Sequence, residues 1–209
     1  MTAADVNRMI RTTRLVAILR ASAPDRLPSA ARVLVEEGVQ VLEFPLSGPG
    51  VLDAISDAAA TLSGHAFVGA GTVRTVEDAR RAVEAGAAFL VSPSLSAAVI
   101  AFAREHDVEV LPGTFTPTEI DTALRSGAEL VKLFPATAHD PEFIRQLRVP
   151  IPEAAVVPTG GVDIEDAPAW LAAGAVALGV GSPLTGASID DADWPELRIR
   201  ARVWLDAVA

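Results

Sequence analysis

The stretch RSGAELVKLF, residues 125–134, contains the unit from which the whole chain is built. Ser126 and Gly127 read as a helix end, because glycine takes the left-handed conformation that closes a helix without steric cost. The run AELVKLF (128–134) then follows with no loop between. Its apolar residues fall on both faces, as expected of a parallel strand covered on both sides. The same junction recurs as EEGV, EAGA and AAGA, each leading straight into another strand-like run. The full set of runs is LVAIL (15–19), VQVLEF (39–44), AFVGA (66–70), AAFLV (87–91), VEVLP (108–112), AELVKLF (128–134), AAVVP (154–158) and AVALGV (175–180). Between them lie Ala-rich segments such as APDRLPSAARVLVEEG and TVEDARRAVEAG, which open on Asp, Ser, Thr or Pro and close on Gly.

Eight helix–glycine–strand units, spaced by roughly 25 residues, predict an α/β fold of the (β/α)8 TIM-barrel type. A doubly wound open sheet is the competing arrangement, but no GxGxxG opens a first helix and the even spacing suits closure. Residues 4–12 are expected to form a short N-terminal helix before the first strand. No linker or low-complexity segment divides the chain, so residues 1–209 read as a single barrel domain.

Bulk properties narrow the function. Half of the residues are hydrophobic and the net charge is −10, which argues against a nucleic-acid partner. There is no cysteine, so disulfide and thiolate chemistry are excluded and a reducing compartment is suitable. The opening MTAADVNRMIRTTR has no apolar core for a signal peptide, and no run approaches the ~20 apolar residues of a membrane helix. A soluble cytoplasmic protein with no membrane association is expected.

In such a barrel, functional groups gather at the C-terminal ends of the strands. That rule selects Arg20, Glu43, Thr72, Ser92, Pro112 to Thr114, Lys132, Phe134, Thr159 to Gly161 and Gly179 to Ser182. Among them Lys132 stands out as the only lysine in the chain, beside sixteen arginines. A composition biased toward arginine, or a lysine reaching out to water, would explain an ordinary surviving lysine. A lysine near the mouth end of a buried strand invites a different reading. Burial disfavours a charged amine, and a neutral amine attacks a ketone, whereas a guanidinium stays protonated and is a poor nucleophile. Drift toward arginine would spare only the lysine whose chemistry arginine cannot replace. Schiff-base chemistry is therefore the leading hypothesis.

A Schiff-base enzyme also needs a proton shuttle. Glu43 ends an otherwise apolar strand, where burial would raise its pKa toward working pH. A salt bridge to Arg20, or backbone amides at a helix start, would satisfy the same carboxylate structurally. PTGGVD (158–163) and GVGSPL (179–184) follow the seventh and eighth strands, at the usual phosphate position of such barrels.

Taken together, VAILRA (16–21), EGVQVLEFPL (37–46), GAGTV (69–73), AGAAFLVSP (85–93), PGTFTPTE (112–119), VKLFPA (131–136), PTGGV (158–162) and GVGS (179–182) resemble the 2-keto-3-deoxy-6-phosphogluconate (KDPG/KHG) aldolases. These are class I pyruvate aldolases, and the likeness runs from about Arg14 to the final helix. It implies a homotrimer of barrels that reversibly cleaves a phosphorylated 2-keto-3-deoxy sugar acid to pyruvate and an aldehyde, with no cofactor and no metal. By motif, Lys132 would form the Schiff base and Glu43 would move protons. Arg20, Thr72, Phe134 and Pro93 would hold the keto acid, and Thr159, Gly160, Gly161, Gly181 and Ser182 the phosphate. Some members carry an arginine four residues after the catalytic glutamate, where this chain has Ser47; another branch uses an arginine at the end of strand one, so carboxylate binding is assigned to Arg20. EFPLSGP resembles the branch acting on the galactonate epimer, and PTGGV the gluconate branch.

Three other functions compete. A non-catalytic phosphate-binding barrel would need the glycine loops but neither Lys132 nor Glu43. A phosphosugar epimerase or synthase would need paired acids or a metal. A purely structural assembly protein would need none of these groups. His65, His106 and His139 are isolated in the sequence and read as surface or cap residues.

Overall fold

The computed structural model describes residues 2–209. Its strands are β1 (Leu15–Ile18), β2 (Val41–Pro45), β3 (Phe67–Gly71), β4 (Phe89–Val91), β5 (Glu109–Leu111), β6 (Gly113–Thr114), β7 (Val131–Leu133), β8 (Val156–Pro158) and β9 (Leu178–Val180). All pair in parallel. A curled six-stranded sheet has the order β5-β4-β3-β2-β1-β9, and a three-stranded sheet the order β6-β7-β8. The two sheets meet at both edges. Pro112 alone separates β5 from β6, because proline has no N–H to give to a ladder, while its carbonyl accepts from Lys132 N at 2.9 Å. At the other edge Thr159 bridges to Gly179, and Val176 N donates to Val156 O at 3.0 Å.

The helix–glycine–strand junctions read from the sequence are present as such. Gly38, Gly86, Gly127 and Gly174 have φ between 95° and 109°, a region that other residues enter only with strain. Helix starts are capped as expected: Thr2 with Asp5, Thr75 with Asp78 and Thr116 with Glu119 each form a reciprocal capping box. The N-terminal helix spans Ala3–Thr13. Among the described residues no helix is long and apolar enough to cross a membrane.

Strand alternation sorts the side chains into two buried clusters. Leu15, Ala17, Leu42, Phe44, Val131 and Leu133 pack outward against the helices. Val16, Val41, Phe89, Leu111, Val157 and Ala177 pack on the other face with Val6 and Ile10 of the N-terminal helix. That helix thus closes the end of the sheets where the strands begin. Phe89 fills the space beside Gly69, where a Cβ would lie 2.5 Å from its ring.

One polar group shares the closed end. Glu109 is buried and accepts from Asn7 Nδ2 at 2.9 Å and from Val110 N at 3.1 Å. Asn7 Nδ2 also reaches Glu129 at 3.3 Å, so two carboxylates share one amide. Burial is the main reason the Glu109 pKa is pushed up to about 7, with the Glu129 charge adding to it. A carboxyl whose pKa rises on folding stabilises the fold when protonated, and that stability is lost as pH rises through the folded value. Glu109→Gln should therefore change the unfolding free energy by less than about 1 kcal/mol at pH 5. At pH 8 it should raise stability by about 1–3 kcal/mol, read from denaturant unfolding at the two pH values.

Candidate active site

The opposite end of the sheets, where strands finish, carries the charged residues picked out from the sequence. On β7, Val131 and Leu133 belong to the outer cluster, so the residue between them points the other way. That residue is Lys132, only 7 % exposed. Its backbone is held on both sides, with its N–H donating to Pro112 O at 2.9 Å and its carbonyl accepting from the Thr114 hydroxyl at 3.0 Å. Its Nζ lies 4.9 Å from the centroid of the Phe134 ring, within cation–π range.

Glu43 occupies the equivalent inward position of β2, between outward Leu42 and Phe44, and is 3 % exposed. Among the described residues its carboxylate makes no hydrogen bond and no ion pair. Burial pushes its pKa up, and the positive charges of Lys132 and then Arg20 oppose that rise. The three charges therefore act on one another across a common space. The salt bridge to Arg20 left open by the sequence is not formed.

Arg20 lies just beyond β1 and is exposed at this end. Leu19 N donates to Glu43 O at 2.9 Å, tying its strand to β2. Ser22, in the same loop, gives both its N–H and its hydroxyl to Asp190 Oδ1, at 2.8 and 2.7 Å. That carboxylate holds the Arg20 loop to the segment following Gly181 and Ser182. Ser47 is exposed and turns back on its own backbone, its hydroxyl 3.3 Å from Pro45 O. Thr72, directly after β3, has φ 59°, uncommon for any residue but glycine and strained for a β-branched one. Pro93 is half-buried beyond β4. Ser92, beside it, buries its hydroxyl without a protein partner.

The glycine segments sit together at the same end. The Thr159–Gly179 bridge places them side by side. Gly160 and Gly161 have φ 85° and 76°, and a Cβ on Gly160 would come within 2.9 Å of the Phe134 ring. Phe134 thus neighbours both the glycine turn and the Lys132 amine. Among the described residues, the N–H groups of Gly160, Gly161 and Gly181 donate to no backbone carbonyl. Ser182 begins a single helical turn, Ser182–Thr185.

The structure therefore brings Lys132, Glu43, Arg20, Thr72, Phe134, Pro93 and the two glycine segments to one end of the fold. A cavity of about 520 Å³ lies elsewhere; Asp140 and Glu142 in its wall would repel an anionic ligand, and it touches neither Lys132 nor Glu43. Sequence reading passed over the contacts of Thr114 and Ser22, since hydrogen bonds between distant segments leave no local pattern. His65 is exposed and His106 caps a helix end through Phe102 O, while His139 packs between Phe115 and Phe143.

Comparison with known proteins shows the family. The family model described as KDPG and KHG aldolase matches residues 6–199. The 2-dehydro-3-deoxy-6-phosphogalactonate aldolase of Escherichia coli (strain K12) is 34 % identical over 171 residues, covering 81 % of this chain and 83 % of its own. The 2-keto-3-deoxy-6-phosphogluconate aldolase of Zymomonas mobilis ZM4, solved with 3-phosphoglycerate, superposes with a TM-score of 0.87 at 27 % identity, covering 99 % of this chain and 100 % of its own. A cube-shaped protein cage designed by fusing symmetric oligomeric domains superposes at 0.86 with 31 % identity, over 93 % of this chain and 71 % of that one. With the family model spanning nearly the whole chain, this protein belongs to the KDPG and KHG aldolase family and is an aldolase, that is, a lyase.

Proposed function

We propose that the chain is a class I aldolase that reversibly cleaves 2-keto-3-deoxy-6-phosphogluconate to pyruvate and D-glyceraldehyde 3-phosphate through a Schiff base on Lys132. The observation that carries this reading is the burial of Lys132 and Glu43 in one space, with Arg20 at its rim. The frame is a closed (β/α)8 barrel in which β5 and β6 are one strand interrupted at Pro112. The Thr159–Gly179 bridge and the Val176–Val156 hydrogen bond support closure of the ring at its other seam.

The chemistry follows from the groups available. Lys132 Nζ adds to the C2 ketone of the substrate, and loss of water from the carbinolamine leaves a protonated imine. The C4 hydroxyl gives up its proton, the C3–C4 bond breaks, and the aldehyde departs. The bonding electrons enter an enamine that the cationic imine stabilises. Protonation at C3 and hydrolysis then release pyruvate and the free amine. Glu43 is the carboxyl at hand to take and return these protons, and its raised pKa suits exchange nearer neutral pH than an ordinary glutamate.

Arg20 supplies the positive charge for the substrate carboxylate, with Thr72, Pro93 and Phe134 lining the keto-acid site. The phosphate rests against Thr159, Gly160, Gly161, Gly181 and Ser182, where the free N–H groups of the three glycines suit an anion. A single catalytic domain over 1–209, a homotrimer and a cytoplasmic location complete the proposal. The symmetric oligomeric domains of the similar cage support assembly, though not its number of copies.

A second reading is cleavage of the galactonate epimer, favoured by the E. coli relative and by the EFPLSGP loop. 4-Hydroxy-2-oxoglutarate is the third substrate to compare. A coupled assay scoring pyruvate released from both phosphorylated epimers and from 4-hydroxy-2-oxoglutarate distinguishes them. Fastest turnover of the gluconate epimer is expected, and release from none of the three contradicts the proposal. In the same assay Arg20→Ala should raise KM by about 10- to 100-fold, the loss of one hydrogen-bonded charge, while Ser47→Ala changes it by less than about threefold. The reverse order would show that the carboxylate sits at Ser47.

A further inference from the structure

We propose that Gly71 is a positioning residue for Glu43: its missing side chain is the berth in which the Glu43 carboxylate rests. Gly71 ends β3, the neighbour of β2. Its backbone does not call for glycine, since it is absent from the residues with positive φ. What calls for glycine is the space above it. A Cβ there would lie 1.9 Å from Glu43 Oε1, 2.6 Å from Cδ and 2.9 Å from Cγ. All three nearest atoms belong to one side chain.

The register explains how Glu43 comes to be there. Glu43 pairs with Gly69, and Pro45 pairs with Gly71. The Glu43 side chain therefore leans two residues along β3, toward the end where Lys132 and Arg20 lie, and settles against bare backbone. Other glycines at this end clear space for different neighbours. A Cβ on Gly113 would strike the Pro93 backbone at 2.3 Å, and one on Gly161 would strike Thr137 Cγ2 at 2.0 Å. An overlap with fixed backbone forces strands apart. An overlap with the tip of a flexible side chain is relieved by rotating that tip. No hydrogen bond among the described residues holds the Glu43 carboxylate in place, so rotation is the cheap response. Gly71→Ala should thus keep the fold and misplace the proton shuttle.

The inference rests on the reading that Glu43 moves protons, and the test separates the two. Gly71→Ala should keep the thermal midpoint within about 3 °C of the parent. Its kcat for cleavage should fall by about 30- to 100-fold with little change in KM, as expected when a catalytic group is displaced by an ångström or so. The acid limb of its kcat–pH profile should move to lower pH, because a displaced carboxylate regains water. A packing defect alone would not move that limb. On a Glu43→Ala background, where the space is already empty, Gly71→Ala should change the residual rate by less than about twofold.

Wild-type kcat in Gly71→Ala, or the same fractional loss on both backgrounds, overturns the role of Gly71. Wild-type kcat in Glu43→Ala instead overturns the reading of the site itself. Should Gly71→Ala fail to fold, the Gly71→Ala/Glu43→Ala pair decides: a folded pair supports the contact, and an unfolded pair overturns it.

Discussion

Lys132→Arg folds, keeps a cation over Phe134, and loses at least about 10⁴-fold in kcat, because the guanidinium cannot supply a neutral nitrogen to the ketone. The substitution is chosen to separate charge from nucleophilicity. If Lys132 served only to bind an anion, arginine would do as well, with a planar fork that can grip two oxygens at once. Lys132 is buried on the face away from the outer cluster, and its backbone is fixed by Pro112 and Thr114, so the longer side chain starts from an unchanged strand. Pyruvate release and circular dichroism, measured on one preparation, check both halves of the prediction. A folded Lys132→Arg with appreciable turnover would remove the covalent mechanism.

Glu43→Gln should lose about 10²- to 10⁴-fold in kcat, the range expected for a positioned acid–base group. The amide keeps the shape of the carboxylate and its berth beside Gly71, so packing does not explain the loss. The pH dependence gives a second check. Burial raises the folded pKa of Glu43, so the wild-type rate should fall on the acid side from a higher pH than an ordinary glutamate would produce. The variant should lack that limb. Linkage has the same origin: stability conferred by protonated Glu43 is lost as pH rises through its folded pKa. Glu43→Gln should therefore be no less stable than the parent at pH 8, as expected when stability is given up for a buried functional group. Equal kcat in the two proteins at every pH would assign proton transfer elsewhere.

Much of the fold was legible because one local rule repeats. A glycine with positive φ stands two residues past each of the helices ending at Glu36, Glu84, Arg125 and Ala172, and apolar strands follow. Strand ends shifted by up to three residues, as with 39–44 against Val41–Pro45 and 175–180 against Leu178–Val180, since tertiary pairing decides where a ladder stops. The run 108–112 was expected to be a single strand ending at Pro112, yet hydrogen bonding resumes beyond it at Gly113 and Thr114. Proline interrupts the ladder without ending the chain's course. The strand-end rule also found Lys132, Glu43 and both glycine segments, because alternation fixes which residues face inward.

Less legible were features set by geometry between distant segments. Nothing in GAGTV reveals that its second glycine lies under Glu43, because that contact depends on how far the side chain leans along the next strand. The pairing of Glu109 with Asn7 depends on where the N-terminal helix docks, and the Ser22–Asp190 contact on two loops meeting at the mouth.

The central claim is that one buried nitrogen condenses with a keto acid. Incubating the wild-type protein with saturating pyruvate and borohydride, then weighing the intact chain, tests it most directly, since the sequence holds no other side-chain amine. A single pyruvyl addition that disappears in Lys132→Arg is the predicted result. An unmodified wild-type chain, or an adduct that survives in Lys132→Arg, would contradict it.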